Sequence, residues 1–278
     1  MGKIERPTVR KRAGTPAPST APPKPKGQAI TGSEPGEITS ITGVLFGPPK
    51  TAKTTLACSG KNVLLMSFDP QGDSTETLRG RKDITVVKPR SQAEIDTLIT
   101  ALYTTDRGRF DWIVLDSVTF LFLLLGGKDI TDAWRENKDV RRPYGKAGAA
   151  VQQIIHDLVL LEDTNVIFTA HLEKEDTDDD DGVAMETDLG ENEVKVAVTP
   201  MVWRILSGAV SFIGRTYKEN TYDKVTENGK TKRNKRTRYA VSFNDGERSP
   251  AGSRLTMAGE YEIELDTLDR LATELIGG

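Results

Sequence analysis

The chain has 278 residues, 36% of them hydrophobic and 28% charged, with a formal net charge of −3 at pH 7. These values exclude a fibrous or membrane-embedded class and suit a soluble globular α/β domain with tails. Charge is unevenly distributed along the chain, so the small net value does not exclude a nucleic-acid partner. The single cysteine, Cys58, excludes an internal disulfide and suits a reducing cytoplasm, with a small buried side chain as its expected role.

Residues 1–36 combine Pro, Ala, Thr and Gly with basic side chains and show no apolar periodicity. Such a segment buries too little apolar surface to offset its ordering entropy, so a disordered basic arm is expected ahead of a domain over 37–278. Its cations are able to graze nucleic-acid phosphates. Met1 to Lys26 lacks the apolar stretch of a secretory signal.

The apolar run Ile38 to Phe46 stops at Gly47-Pro48-Pro49-Lys50-Thr51-Ala52-Lys53-Thr54-Thr55. A β-branched run that ends at glycine and re-enters a Thr-Thr-Leu-Ala helix start is the context of a phosphate-binding loop. Backbone N–H groups after Gly47 converge on a phosphate, and the following helix adds its unpaired N–H groups. Lys53 neutralises the β- and γ-oxygens, while the Thr54 hydroxyl completes the shell of a Mg²⁺ ion. One departure is visible: Ala52 stands at the second glycine of G-x-x-x-x-G-K-[ST], at a cost if that position needs a positive φ.

A short helix from Thr54 to Ser59 is expected next, then a buried strand from Asn62 to Phe68 ending in Asp69-Pro70-Gln71-Gly72-Asp73. A strand over Ile84 to Val87 precedes an amphipathic helix, Ser91 to Tyr103, with Ile95, Leu98, Ile99 and Leu102 on one face. Phe110 to Ser117 reads as a strand covered on both sides. Trp112 to Leu125, the most apolar run, is too short for a bilayer, carries Asp116 and reads as core. A helix from Lys146 to Glu162 and a strand from Asn165 to His171 follow. This alternation predicts right-handed βαβ units and a mostly parallel, twisted sheet with helices on both faces.

Beyond His171 the pattern changes. Glu173 to Asp181 is strongly acidic and is expected to start a mobile loop reaching about Lys195. A short helix over Pro200 to Leu206 leads into strands at Ala209 to Tyr217 and Thr237 to Phe243, joined through the Asn228-Gly229 turn signal of a basic hairpin near 226–238. A helix from Leu268 to Leu275 completes a β-rich C-terminal extension, and no internal repeat is present.

Asp116, ending a Trp-Ile-Val-Leu strand, faces the crevice where ligands bind in open α/β sheets and is able to hold Mg²⁺. Asp69, Gln71 and Asp73, in that order, are candidates for orienting an attacking water, none of them a glutamate. His171, at another strand end, is placed to hydrogen-bond a γ-phosphate. Lys230, Lys232, Arg233, Lys235, Arg236 and Arg238 form a basic hairpin suited to nucleic-acid phosphates. Arg135, Arg141, Arg142 and Lys146 make a second basic surface.

Together, Gly47-Pro-Pro-Lys-Thr-Ala-Lys-Thr-Thr55, Ile113-Val-Leu-Asp-Ser117, Tyr144-Gly-Lys-Ala147 and Asn165-Val-Ile-Phe-Thr-Ala-His171 make the chain resemble the RecA-type ATPases over about residues 37 to 265. The nearest resemblance is to their small phage-encoded branch of single-strand annealing proteins. It implies a RecA-like P-loop core that uses ATP and Mg²⁺ and assembles as a ring or filament on single-stranded DNA in the host cytoplasm. Pairing with a complementary strand, alongside a single-strand binding protein and away from membranes, is the implied role. By carry-over, Lys53 and Thr54 match the phosphate and Mg²⁺ residues, Asp116 the second-motif carboxylate and His171 the γ-phosphate sensor. Ala52 and the absence of the catalytic glutamate near Asp69 imply slow turnover. They also open a different reading, a poorly hydrolysing switch or scaffold that recruits partners. Asp69-Pro-Gln-Gly-Asp-Ser-Thr75 also resembles the second-strand motif of plasmid-partition ATPases, but Pro48 stands where that family carries a further lysine. The acidic run after His171 conflicts with a DNA-facing loop there.

Overall fold

Alternate residues of the central strands feed two different cores, which is why those strands read as almost uninterrupted apolar runs. The computed structural model describes residues 39–162, 164–172, 195–227, 230–244, 250–255, 259–264 and 266–276, with the backbone alone at 73, 221–227, 230–234 and 275–276. The expected N-terminal arm, the acidic segment 173–194 and the Asn228-Gly229 turn lie outside the described residues.

The chain runs β1 (Thr42–Gly47), α1 (Lys53–Ala57), β2 (Val63–Ser67), a 3-10 helix (Asp73–Leu78), β3 (Ile84–Val87), α2 (Gln92–Tyr103) and β4 (Trp112–Asp116). It continues through α3 (Val118–Arg135), α4 (Arg141–Val159), β5 (Asn165–His171) and α5 (Pro200–Ala209) to β6 (Phe212–Glu227) and β7 (Lys230–Ser242). The short β8 (Gly252–Ser253), β9 (Glu260–Glu262) and α6 (Thr267–Ile276) complete it.

Among the described residues there is one nine-stranded sheet, ordered β3-β2-β4-β5-β1-β6-β7-β9, with β8 on β6. The pairs from β3 across to β6 are parallel, and β7, β8 and β9 add antiparallel edges. Val44, Leu64, Ile113, Leu115, Val166 and Phe168 pack against α2 to α5. Leu45, Leu65, Val114 and Ile167 face the other way, against α1, the 3-10 helix and α6. Burying one such Leu or Ile contributes about 1.5–3 kcal/mol. This is the expected mostly parallel α/β sheet with helices on both faces, and the C-terminal strands continue it as antiparallel neighbours.

Two helices differ from the sequence reading. The apolar run after Asp116 leaves the sheet at Ser117, whose hydroxyl caps α3 by accepting from Phe120 N at 3.3 Å. Val118, Leu121, Phe122, Gly126, Ile130 and Ala133 then point inward at helical spacing, while Leu123 and Leu124 remain exposed. Helix α4 starts at Arg141, five residues earlier than expected. Pro143 sits in its first turn, where a missing N–H leaves no helical bond unmade, so the proline does not stop the helix.

The final helix is fastened behind α1. Leu268 N donates to Ser59 Oγ at 2.9 Å, and Asp269 Oδ1 accepts from Trp112 Nε1 at 3.1 Å and Lys61 N at 3.2 Å. Leu268 and Leu271 are buried against that core.

Candidate functional site

The parallel order brings the carboxyl ends of β1, β2, β4 and β5 to one edge, where open α/β sheets hold their ligands. Register sets Gly47 opposite His171 and Ser67 opposite Asp116. A cleft of about 560 Å³ opens over this edge. Lys53, Thr54, Asp69, Asp116, Phe120 and His171 line it. Pro49, Lys50, Thr77, Tyr239 and Ile263 are also among its lining residues.

The loop is fixed from beneath. A Cβ on Gly47 would stand 2.4 Å from both the carbonyl oxygen and Oγ1 of Thr216, so β6 passes too close for any side chain. Thr51 Oγ1 donates to Pro48 O at 2.8 Å and shares a buried hydrogen bond of 2.7 Å with Thr216 Oγ1. Ala52 has φ 62° and ψ 26°, the left-handed conformation that the glycine of the motif adopts freely. An L-residue there costs roughly 1–2 kcal/mol.

Lys53 is buried, and its ammonium donates to Gly47 O at 3.0 Å and Pro48 O at 2.6 Å. Burial lowers its pKa to about 8, against the opposing pull of the Asp116 charge. Thr54 Oγ1 donates to Asp116 Oδ2 at 2.8 Å, and Asp116 Oδ1 accepts from the buried Thr169 hydroxyl at 2.5 Å. The donor set at this point, a threonine hydroxyl and a carboxylate, is hard oxygen and fits Mg²⁺. No three His, Cys, Asp or Glu side chains gather as a metal site among the described residues. A magnesium ion held by Thr54 and Asp116 would take the rest of its shell from phosphate oxygens and water.

Asp69 lines the cleft, yet both its oxygens serve its own turn, accepting from Gln71 N at 3.0 Å and Ser74 N at 3.1 Å. Burial pushes its pKa up, but the backbone N–H bonds from Ser74, Gln71 and Gly72 outweigh that and hold it below the usual value. His171 packs edge-on against Phe120 at 5.2 Å between ring centres. Its pKa is lowered by burial first and by the Lys53 charge second, so the neutral ring is favoured. The side chain of Asp73 lies outside the described set. Cys58 is fully buried and its thiol is pushed up, by burial foremost.

Sequence reading did not single out Thr169, Thr216, Phe120, Tyr239 or Ile263. Thr169 carried a usable signal, since it lies two residues before His171 on a strand beside Asp116. Tyr239 and Ile263 carried none, because only the pairing of β7 and β9 onto the core sheet brings them to the cleft.

The basic hairpin divides. Arg238 is tied to Glu260 at 2.8 Å, Glu219 at 3.7 Å and Glu262 at 3.8 Å. Lys235 and Arg236 are exposed, and the side chains of Lys230, Lys232 and Arg233 lie outside the described set. In the second basic surface, Arg141 pairs with Asp139 at 2.9 Å and Lys146 with Asp129 at 3.9 Å, which leaves that region of mixed charge.

Fold and cleft together define a nucleotide-binding P-loop ATPase of the α/β class. Residues 39–255 match the AAA domain family model, and the chain belongs to that family. Comparison with curated proteins finds no match. Among solved structures the chain is similar to the RadB recombinase, with a TM-score of 0.39 and 17% identity over 81% of this chain and 88% of that one. It is similar also to the flagellar accessory protein FlaH from Methanocaldococcus jannaschii, with a TM-score of 0.33 and 12% identity over 80% of this chain and 84% of that one. No helix among the described residues is long and apolar enough to cross a membrane.

Proposed function

We propose that the protein binds ATP with Mg²⁺ at the Gly47 to Thr55 loop, hydrolyses it slowly, and acts on single-stranded DNA in phage-type recombination or strand annealing. The observation that carries the nucleotide half is the Thr54 to Asp116 hydrogen bond beside the Lys53 ammonium. It joins the two motifs at one point at the carboxyl edge of the sheet. In the mechanism this supports, Lys53 gives up its loop carbonyls and pairs with phosphate oxygens. Loop N–H groups after Gly47 and at the start of α1 orient the triphosphate. Thr54 and Asp116 would hold magnesium, which would supply charge neutralisation at the phosphates. Thr169 fixes the Asp116 carboxylate, and the ring N–H of neutral His171 donates one hydrogen bond to the terminal phosphate. The resemblance to RecA-type annealing proteins supports the DNA half, a ring or filament assembly, a single-strand binding protein partner and a bacterial host cytoplasm as the setting.

Steady-state ATP hydrolysis with Mg²⁺, measured with and without single-stranded DNA at low and moderate salt, tests this. A DNA-stimulated rate that falls with salt is expected. Hydrolysis indifferent to DNA, together with no retention on single strands, would sink the DNA half.

The Asp69 geometry favours a second reading. With both carboxylate oxygens held by its turn, Asp69 is poorly placed to orient water. The protein then acts as a nucleotide-dependent switch or scaffold that recruits replication or recombination partners. Tight ATP binding with negligible turnover in either condition is its signature.

A further inference from the structure

Cross-strand register sorts the charges of the β6–β7 ribbon into two unlike sets. In an antiparallel pair, directly opposed residues share a face and successive residues alternate between faces. One set of alternating positions carries Lys218, Lys224, Arg233 and Lys235 together with Tyr222 and Tyr239, and holds no acidic residue. The other set holds Glu219, Asp223 and Glu227 among its cations, with Glu219 directly opposite Arg238 and Glu227 opposite Lys230. Opposed charges of opposite sign attract, so these three carboxylates offset part of the positive charge of Arg215, Lys230, Lys232, Arg236 and Arg238, and Glu260 and Glu262 of β9 fall on the same alternation and offset more.

The described side chains agree with this division. Arg238 is enclosed by Glu219, Glu260 and Glu262. Tyr217, on the same set, hydrogen-bonds Glu260, and its hydroxyl is pushed up by burial and by that glutamate. Lys218 and Lys235, on the basic set, are exposed and have no ion-pair partner among the described residues.

The basic set also has a direction. At its root Thr216 bonds Thr51 of the phosphate loop at 2.7 Å, and the next pair outward, Lys218 with Tyr239, adjoins the nucleotide cleft through Tyr239. By backbone register, positions occupied by cations and tyrosines thus recur from the cleft outward along the ribbon.

We infer that this one face of the ribbon, at the Lys218, Tyr222, Lys224, Arg233 and Lys235 positions, is the single-stranded nucleic-acid contact surface. The opposite set, with Lys230, Lys232, Arg236 and Arg238, is not. The inference rests on the DNA-acting reading above and deepens it. Cations bind the phosphates, and the tyrosines offer planes for bases to stack on without reading their identity. An acidic peptide would satisfy the lysines but leave the tyrosines without that use.

Two paired variants remove the same charge from the two sets: Lys218→Gln with Lys235→Gln, and Lys230→Gln with Lys232→Gln. Binding of a labelled single-stranded oligothymidylate is measured by anisotropy across a salt series. The first pair weakens binding at least about tenfold and lowers the log–log salt slope by about 1.4, near 0.7 for each lost phosphate contact. The second pair stays within about twofold of the parent. Lys218→Arg with Lys235→Arg keeps parental binding, which separates charge from folding. Tyr222→Leu weakens binding with the salt slope unchanged. Equal loss from both glutamine pairs, or greater loss from the second, overturns the assignment while the DNA-acting reading stands. An unaltered affinity for Tyr222→Leu replaces base stacking with simple polyanion binding and overturns it also. If the parent binds no oligonucleotide, the assignment and the DNA half of the function fall together, and ATP hydrolysis reports separately on the nucleotide site.

Discussion

The Thr54 hydroxyl donates to Asp116 Oδ2 at 2.8 Å although the two residues are 62 positions apart. One opens the helix after the phosphate loop and the other ends β4, and β1 and β4 are not neighbours because β5 lies between them. Thr169 on that intervening strand takes the other carboxylate oxygen. With both oxygens engaged, the Asp116 carboxylate is held in one orientation before any ligand arrives.

Thr54→Ala and Asp116→Asn are each expected to lower kcat for ATP by about 10²-fold or more, as loss of a pre-placed electrostatic group commonly does. Steady-state hydrolysis across a Mg²⁺ series checks this. Thr169→Val is expected to raise the Mg²⁺ concentration needed for half-maximal rate, and Thr169→Ser to restore it. Identical Mg²⁺ curves for the Val and Ser variants would remove Thr169 from the account.

Ala52 occupies a left-handed conformation at φ 62°. Ala52→Gly relieves that strain but adds disorder to the unfolded chain, so a net gain of about 0.5–1 kcal/mol is expected. Thermal unfolding should shift upward by about 1–4 °C. A lower midpoint would mean that Ala52 contributes contacts outweighing its backbone strain.

Lys53 has a pKa of about 8 in the free protein because it is buried. Phosphate binding favours its charged form and raises that value. Below about pH 8 both states are protonated and ATP affinity is flat. Above it the free protein has lost the proton, binding must take one up, and affinity falls as pH rises. Calorimetry in two buffers of different ionisation enthalpy should show proton uptake at pH 9 and little at pH 7. The same depression has a stability consequence of the opposite sign. From about pH 8 up to the ordinary lysine value the unfolded chain binds more protons, so stability contributed by this group rises with pH.

Asp269 accepts from the Trp112 indole and from the Lys61 backbone, with Trp112 itself buried. Asp269→Ala leaves the indole N–H without its acceptor, and about 1–3 kcal/mol of destabilisation is expected. A urea midpoint lowered at unchanged slope checks it; an unchanged midpoint would show that the packing of Leu268 and Leu271 and the Leu268 N to Ser59 bond hold α6 without Asp269.

Much of the core was legible in the chain because each central strand is a short apolar run with a glycine, aspartate or histidine at its end. Gly47, Asp116 and His171 announce where three strands stop, and a parallel sheet places those ends together. Helix α3 was not legible, since Val118 to Leu125 continues the apolar run of β4 and hides both the Ser117 cap and the helical spacing. The length of the β6–β7 ribbon escaped for the opposite reason: its charged residues give no apolar alternation, and backbone pairing across two strands sustains it. Tyr239 and Ile263 reach the cleft through sheet pairing, which no local pattern encodes. Ala52 was legible as a departure from the motif, while its left-handed backbone was visible only in the folded loop.

If Thr54, Asp116 and Lys53 form one magnesium–triphosphate site, Mg²⁺ and ATP bind there as a unit. The most direct measurement is equilibrium binding of ATP to the parent and to Thr54→Ala, with Mg²⁺ and with EDTA, at pH 7. Mg²⁺ is expected to tighten binding at least about tenfold in the parent and to have little effect in Thr54→Ala, with both proteins unfolding cooperatively. Equal affinity with and without Mg²⁺ in the parent, or the same Mg²⁺ effect in both proteins, would contradict it.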